Sequence, residues 1–194
     1  MNEREKMTAG ELYNPADEEL YRLRTRAHKL CVDYNKLYDT DEVKRYDILR
    51  ELLPYCNLDE IYFQGPIYFD YGINTFIGKN FYANFNTTIL DVCRVRIGDN
   101  VMLGTNVSLL TPMHPMRWQE RNGKRNKNGE IIQLEYAKPI TIGNNCWLAS
   151  NVTVTGGVKI GAGSVIGAGS VVTRDIPPDV FAAGAPCRVI KPIE

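Results

Sequence analysis

Histidine occurs only twice in this 194-residue chain, and one of the two, His114, stands in the stretch TPMHPM, two residues after Pro112 and directly before Pro115. Each proline fixes its own φ and steers the residue before it away from the helical region, so His114 is expected on an extended or turned backbone that is stiffly held. An imidazole mounted in this way suits proton transfer near neutral pH. A neutral ring acting as base needs its other nitrogen to donate to a carboxylate or carbonyl, and the sequence alone does not name that partner. The second histidine, His28, falls in a charged helical pattern and is read as an exposed residue without a role.

His114 also marks the place where a repeat stops. Written in sixes from Ile142, the chain reads IGNNCW, LASNVT, VTGGVK, IGAGSV, IGAGSV, VTRDIP, and the same frame fits IGKNFY from Ile77, then IGDNVM and LGTNVS from Ile97. Each block opens on Ile, Leu or Val. Gly, Ala or Thr comes second, Asn, Gly or Asp fourth, and a residue able to pack inward fifth. Six residues suit one short strand and one tight bend of a coil whose sides are strands, with the first position stacked inside coil upon coil. Glycine and asparagine tolerate the positive φ of a sharp corner, which accounts for their recurrence at the bends. A meander of hairpins would instead show turn signals every 8 to 12 residues. "IGAGSVIGAGS" is no dinucleotide fingerprint, because no strand-to-helix unit surrounds it.

Two further elements complete the organisation. Residues 1–58 read as a helical cap subdomain and 59–194 as the coil domain, with 111–138 as an exposed excursion loop rich in Asn, Gly and charge. In the head, Leu20, Leu23, Ala27, Leu30 and Tyr34 form one apolar stripe, with Asp17 as the helix start. A second helix has Asp39, Thr40 or Asp41 as candidate cap, Val43, Tyr46, Leu49, Leu52 and Leu53 as its apolar face, and Pro54 as its end. Lys plus Arg and Asp plus Glu number 23 each, which leaves no global pull toward nucleic acid or an acidic membrane. The five cysteines (Cys31, Cys56, Cys93, Cys146, Cys187) are scattered and never spaced CxxC, so they are read as reduced and mostly buried rather than as disulfides or zinc ligands. The N-terminus lacks the apolar run of a signal peptide and no stretch approaches the ~20 apolar residues of a membrane span, so a cytoplasmic protein is expected.

The repeat resembles that of the hexapeptide-repeat acyltransferases, and the pieces "MTAGELY", "YN", "DYG", "NFYANFN", "LDVCRVRIGDN", "HP", "KPITIGNNCW", "VIGAGSVVTRDIPPDV" and "AAGAPCRVIK" resemble the maltose and galactoside O-acetyltransferase branch over nearly the whole length. The resemblance implies a mainly β fold, a left-handed parallel β-helix with three hexapeptides per triangular coil behind a small helical head. It implies transfer of an acetyl group from acetyl-CoA to a sugar hydroxyl, with His114 as general base in a ternary complex and backbone amides of a neighbouring coil as candidate oxyanion donors. By position it makes Asn84 an acceptor-positioning residue, and "ANF" is read here as a break between frames, where sites concentrate. Asp70 and Asp91 become acceptor-binding candidates, since carboxylates accept well from paired sugar hydroxyls; the galactoside branch carries serine where Asp70 stands. Ser150, Ala168, Thr173 and Arg174 are expected to line the coenzyme, Arg188 and Lys191 to meet its phosphates, and Trp147 to pack along the same groove. The family further implies a homotrimer with active sites between subunits, and no metal.

Three other readings compete. The acceptor could be a galactoside, another glycan or an amine. A metal hydratase on the same fold needs about three imidazoles around one zinc, and only His114 lies in the β region. A solenoid could also serve as a non-enzymatic scaffold. An acyl-enzyme route would need a nucleophile beside the base, and Cys93 and Cys146 fall where packing residues belong.

Overall fold

A computed structural model describes residues 1–37, 40–129 and 131–194. Three helices come first: α1 (Glu3–Ala9), α2 (Glu18–Lys36) and α3 (Glu42–Leu52). α1 starts with a capping box in which Asn2 and Glu5 satisfy each other's backbone N–H. Asp17 caps α2 by accepting from the amides of Glu19 and Leu20, and Asp41 caps α3 by accepting from that of Lys44. Of the other candidates for that second cap, Asp39 lies outside the described residues.

The rest of the chain is wound into coils with three flat faces. Ile61–Phe63, Phe81–Ala83, Met102–Leu103, Trp147–Leu148, Val165–Ile166 and Val180–Ala183 pair in parallel, in that order, as the first face. Ile67–Phe69, Thr87–Leu90, Ser108–Leu110, Thr153–Thr155 and Val171–Val172 make the second. Thr75–Ile77, Val95–Ile97, Ile140–Ile142 and Lys159–Ile160 make the third, which a bridge from Ile160 to Ile176 extends. Stacked inward residues such as Ala83, Leu103, Leu148 and Ile166, or Ile89, Leu109, Val154 and Val172, are fully or almost fully buried and form one continuous core.

Two of the three corners are invariant. From first face to second, inward residues are six apart in each coil (Ala83 to Ile89, Leu103 to Leu109, Leu148 to Val154, Ile166 to Val172). From third face back to first the same spacing holds, from Ile77 to Ala83 through Ile176 to Ala182. These corners carry columns of left-handed residues, Asn86, Asn106, Asn151 and Gly169 in one, Asn80, Asn100, Asn145, Gly163 and Asp179 in the other. Their asparagine amides donate up the column, Asn80 to Asn100 to Asn145 and Asn86 to Asn106 to Asn151, at 3.0 Å each. Asparagine therefore both tolerates the αL backbone and ties each corner to the next.

The third corner has no such ladder and varies in length: eight residues from Phe69 to Ile77 and from Ile89 to Ile97, 33 from Leu109 to Ile142, six from Val154 to Ile160, and four from Val172 to Ile176. This corrects the last block of the repeat. VTRDIP is two residues short of a full turn, and its positive φ falls on Asp179 rather than on the fourth position, Asp175. "ANF" needs correction too: Ala83 stacks on Leu103 and the Asn84 amide donates to the Leu103 carbonyl, so Asn84 occupies the second place of a regular frame, where Gly104 and Ala149 stand in the coils above.

The head closes the first coil. Its exposed edge groups would otherwise be unpaired; Asn35 accepts from the Ile67 amide and donates to the Ile67 carbonyl, at 2.8 and 2.9 Å. Arg45, not Val43, turns inward on α3: Val43 is 74% exposed and Arg45 is 6% exposed. The Arg45 guanidinium lies over the Tyr34 ring and donates to the carbonyls of Phe63 and Gln64, so a charged side chain takes a place that the apolar pattern assigned elsewhere. At the other end Arg188–Pro192 runs antiparallel to Val180–Ala183 and covers the last coil. Among the described residues, no helix is long and apolar enough to cross a membrane.

Candidate functional site

The side chains able to do chemistry gather at the variable corner. After Leu110 the chain leaves the coil, and the base of the excursion is pinned by an antiparallel ladder in which Pro112 faces Ala137 and Met113 faces Tyr136. That ladder sets His114 and Glu135 side by side, with His114 Nε2 3.8 Å from Glu135 Oε2. Glu135 is itself held twice, because Tyr13 of the head donates its hydroxyl to Glu135 Oε1 and exchanges both backbone hydrogen bonds with it. Burial first, then the neighbouring carboxylate, push the Tyr13 hydroxyl far above its usual range, so it stays a donor. The order His114, Glu135, Tyr13 supplies an orienting carboxylate for an exposed imidazole. The sequence did not point to Glu135. The only available signal was its place at the end of the excursion, beside the returning strand.

Asp70 lies at the same corner in the first coil, mostly buried, 3.2 Å from His28 Nε2 on α2. Asp91, one coil later, is fully buried, and its carboxylate is filled: Oδ1 accepts from the amides of Tyr71 and Gly72, Oδ2 from the Asn74 amide and the Thr75 hydroxyl. Burial pushes this carboxyl up to about 7, against those four hydrogen bonds. Asp91 therefore holds the turn at 71–75 and presents nothing to a sugar, which corrects the expectation that it binds acceptor.

The remaining predicted residues lie elsewhere on the chain. Asn84, Trp147, Ser150 and Ala168 line one groove of about 570 Å³ along the first face and its corner with the second, together with Gly104, Ala149 and Phe181. Arg188 and Lys191 sit on the adjoining last strand, Lys191 opposite Phe181. Thr173 and Arg174 are exposed at the variable corner of the last coil and line no part of the groove. No residue of the excursion lines it either, so a single chain keeps His114 apart from Asn84 and the groove. All five cysteines are unpaired thiols, and burial raises each, Cys31 to about 11. Cys93 and Cys146 are 3% and 1% exposed, which suits packing and not nucleophilic attack.

Stacked hexapeptide coils, a helical cap and one histidine-bearing excursion define the class of hexapeptide-repeat transferases. Residues 6–56 match the maltose acetyltransferase hexapeptide capping motif, 139–174 the bacterial transferase hexapeptide of six repeats, and 94–110 the hexapeptide repeat of succinyl-transferase. The galactoside O-acetyltransferase of Escherichia coli K12 is 45% identical over 97% of this chain and 88% of its own. A crystal structure of a maltose O-acetyltransferase from Clostridium difficile 630 superposes with a TM-score of 0.89, at 44% identity, covering 100% of this chain and 98% of that one. A galactoside acetyltransferase solved in complex with coenzyme A gives 0.86 at 43% identity, over 100% and 92% of the two chains. The chain belongs to the maltose and galactoside O-acetyltransferase branch of the hexapeptide-repeat acetyltransferases.

Proposed function

We propose that the protein moves the acetyl group of acetyl-CoA to a hydroxyl of a sugar such as maltose or glucose, by direct attack within a ternary complex. The observation that carries this reading is the His114–Glu135 pair at the exit of the third coil. His114 takes the hydroxyl proton as the oxygen attacks the acetyl carbon. Glu135 keeps the ring in the productive tautomer and steadies the imidazolium that forms, and the departing thiolate then receives the proton.

The groove suits the donor. Its floor is made of small residues, Gly104, Ala149, Gly167 and Ala168, its wall is the half-exposed Trp147, and Arg188 and Lys191 lie toward one end, where phosphates would be met. The relative solved with coenzyme A supports this choice. A homotrimer fits the first face, where Tyr62, Tyr82, Met102, Trp147, Val165 and Phe181 stand in register as one outward apolar stripe, with Tyr62 and Tyr82 stacked at 5.8 Å. Such a stripe is best covered by a second copy. Packing of copies is also what would bring the His114 of one subunit to the Asn84 and groove of the next. Cytoplasmic location follows from the chemistry of the donor.

Thiol release from acetyl-CoA, measured across maltose, glucose, galactosides and the amine glucosamine, tests the reading. Transfer to hydroxyl acceptors is expected and should be lost in His114→Ala. Activity confined to the amine would refute it.

A further inference from the structure

His28 has no part in the chemistry above, yet it reaches across from α2 to the first coil and pairs with Asp70 at 3.2 Å. The pair opens on a cavity of about 280 Å³ lined also by Val32, Tyr68 and Leu90. Tyr68 and Val32 are 47% and 51% exposed, so the cavity has an aromatic and an aliphatic wall beside a carboxylate and an imidazole. That is the composition of a site for a sugar ring, whose C–H faces need apolar contact and whose hydroxyls need charged or polar partners. By register Asp70 stacks under Leu90 and Leu90 under Leu110, from which the chain departs toward His114. The pair thus lies on the same edge of the solenoid as the proposed base.

Only Oδ1 of Asp70 meets His28, and the imidazole side chain is 54% exposed. We propose that His28 is a positioning residue for the acceptor: it fixes Asp70 so that Oδ2 and the second ring nitrogen face a pair of adjacent hydroxyls on the sugar ring. This rests on the sugar O-acetyltransferase reading. A carboxylate that accepts and an imidazole that donates or accepts match a vicinal diol, and neither matches an isolated hydroxyl as well. A purely mechanical role explains less, because an ion pair with one partner more than half open to solvent contributes little to stability. α2 is already fastened by the two hydrogen bonds of Asn35 to Ile67 and by buried Leu20, Ala27, Cys31 and Tyr34.

The test is steady-state kinetics on the full-length wild type, His28→Ala, His28→Gln and Asp70→Asn, with the best sugar and its deoxy analogues, and thermal midpoints alongside. His28→Ala is expected to raise the acceptor KM roughly tenfold, the effect of one charge-assisted hydrogen bond, with kcat and the acetyl-CoA KM little changed. His28→Gln, which keeps a donor toward Asp70, should recover much of the loss. Removing one of the two hydroxyls should weaken acceptor binding to the wild type but not to His28→Ala. An unchanged acceptor KM in His28→Ala overturns the proposal while leaving the transferase reading intact. A fall in thermal midpoint with KM and kcat shifted together also overturns it, in favour of a clamp. If the wild type acetylates no sugar, the transferase reading fails and this proposal fails with it.

Discussion

Asp91 offers the sharpest separation of a supporting from a sugar-binding carboxylate. In Asp91→Asn, the amide oxygen can still accept from Tyr71 and Gly72, and Thr75 can rotate its hydroxyl to accept instead of donate. The Asn74 amide, 3.1 Å from Oδ2 in the wild type, would then face an N–H group. One orphaned buried donor costs about 1–3 kcal/mol, and Asp91→Ala, which strands three amides, costs about 3–9 kcal/mol. For a chain of this size about 2 kcal/mol lowers the melting midpoint by about 4–8 °C. The acid limb adds a sign. The folded carboxyl titrates near 7 and the unfolded one near its ordinary value, so the native state holds a proton that the unfolded state has released between them. Its stabilisation is present below about pH 4 and lost as pH rises toward 7, by at most about 4 kcal/mol. Thermal melts of wild type and Asp91→Asn from pH 4 to 8 should therefore show a deficit in the variant that is widest at the acid end. Acceptor KM per folded molecule should stay put. A variant that melts like the wild type but binds sugar poorly would refute the reasoning.

Other consequences can be checked with the same reagents. His114→Ala should lose about 10²–10⁴-fold in kcat with an unchanged melting curve, and Glu135→Gln roughly tenfold, since its 3.8 Å contact orients the ring without binding it tightly. Trp147→Ala should raise the acetyl-CoA KM and leave the sugar KM alone, read from initial rates in which each substrate is varied while the other is held saturating. Asn100→Ala removes two links of a corner column and leaves alanine at φ 57°, so a loss of about 2–4 kcal/mol is expected in denaturant titration, and less for Asn100→Gly. Mixing inactive His114→Ala with inactive Asn84→Ala should restore about a quarter of wild-type activity if sites form between copies of a trimer; no recovery would place both residues in one subunit's site.

The coil was legible because its period is imposed at two corners, where αL geometry demands Asn, Gly or Asp every sixth residue. Whereas the second helix start was narrowed only to Asp39, Thr40 or Asp41, of which Asp41 is the cap, the start at Asp17 was legible for a similar local reason, a short acceptor beside orphan amides. Arg45 was not, since nothing in a helical pattern says that the carbonyls of Phe63 and Gln64 need a donor. Glu135 and Asp91 escaped for the same cause: one is selected by a ladder across 22 residues of excursion, from Met113 to Tyr136, and the other by how a turn folds over it. His28 was passed over because its partner is 42 residues away. Types and spacings reveal what repeats or what is near in sequence. Pairings made by the closing of a coil become visible only in three dimensions.

The unequal third corner bears on how such a chain could diversify. Neighbouring coils elsewhere join residues 16 to 20 apart, as Ile166 to Ala182 or Ala83 to Leu103, whereas the excursion lengthens one such closure to 45, from Leu103 to Leu148. Loop-closure entropy grows only with the logarithm of length, so the longer closure costs about 0.8 kcal/mol. Insertions and deletions at this corner are thermodynamically cheap, while the same change at an asparagine column would put every later coil out of register. One edge of the prism is open to experiment by evolution or by a protein engineer, who could graft new excursions to meet new alcohols without disturbing the groove on the opposite side.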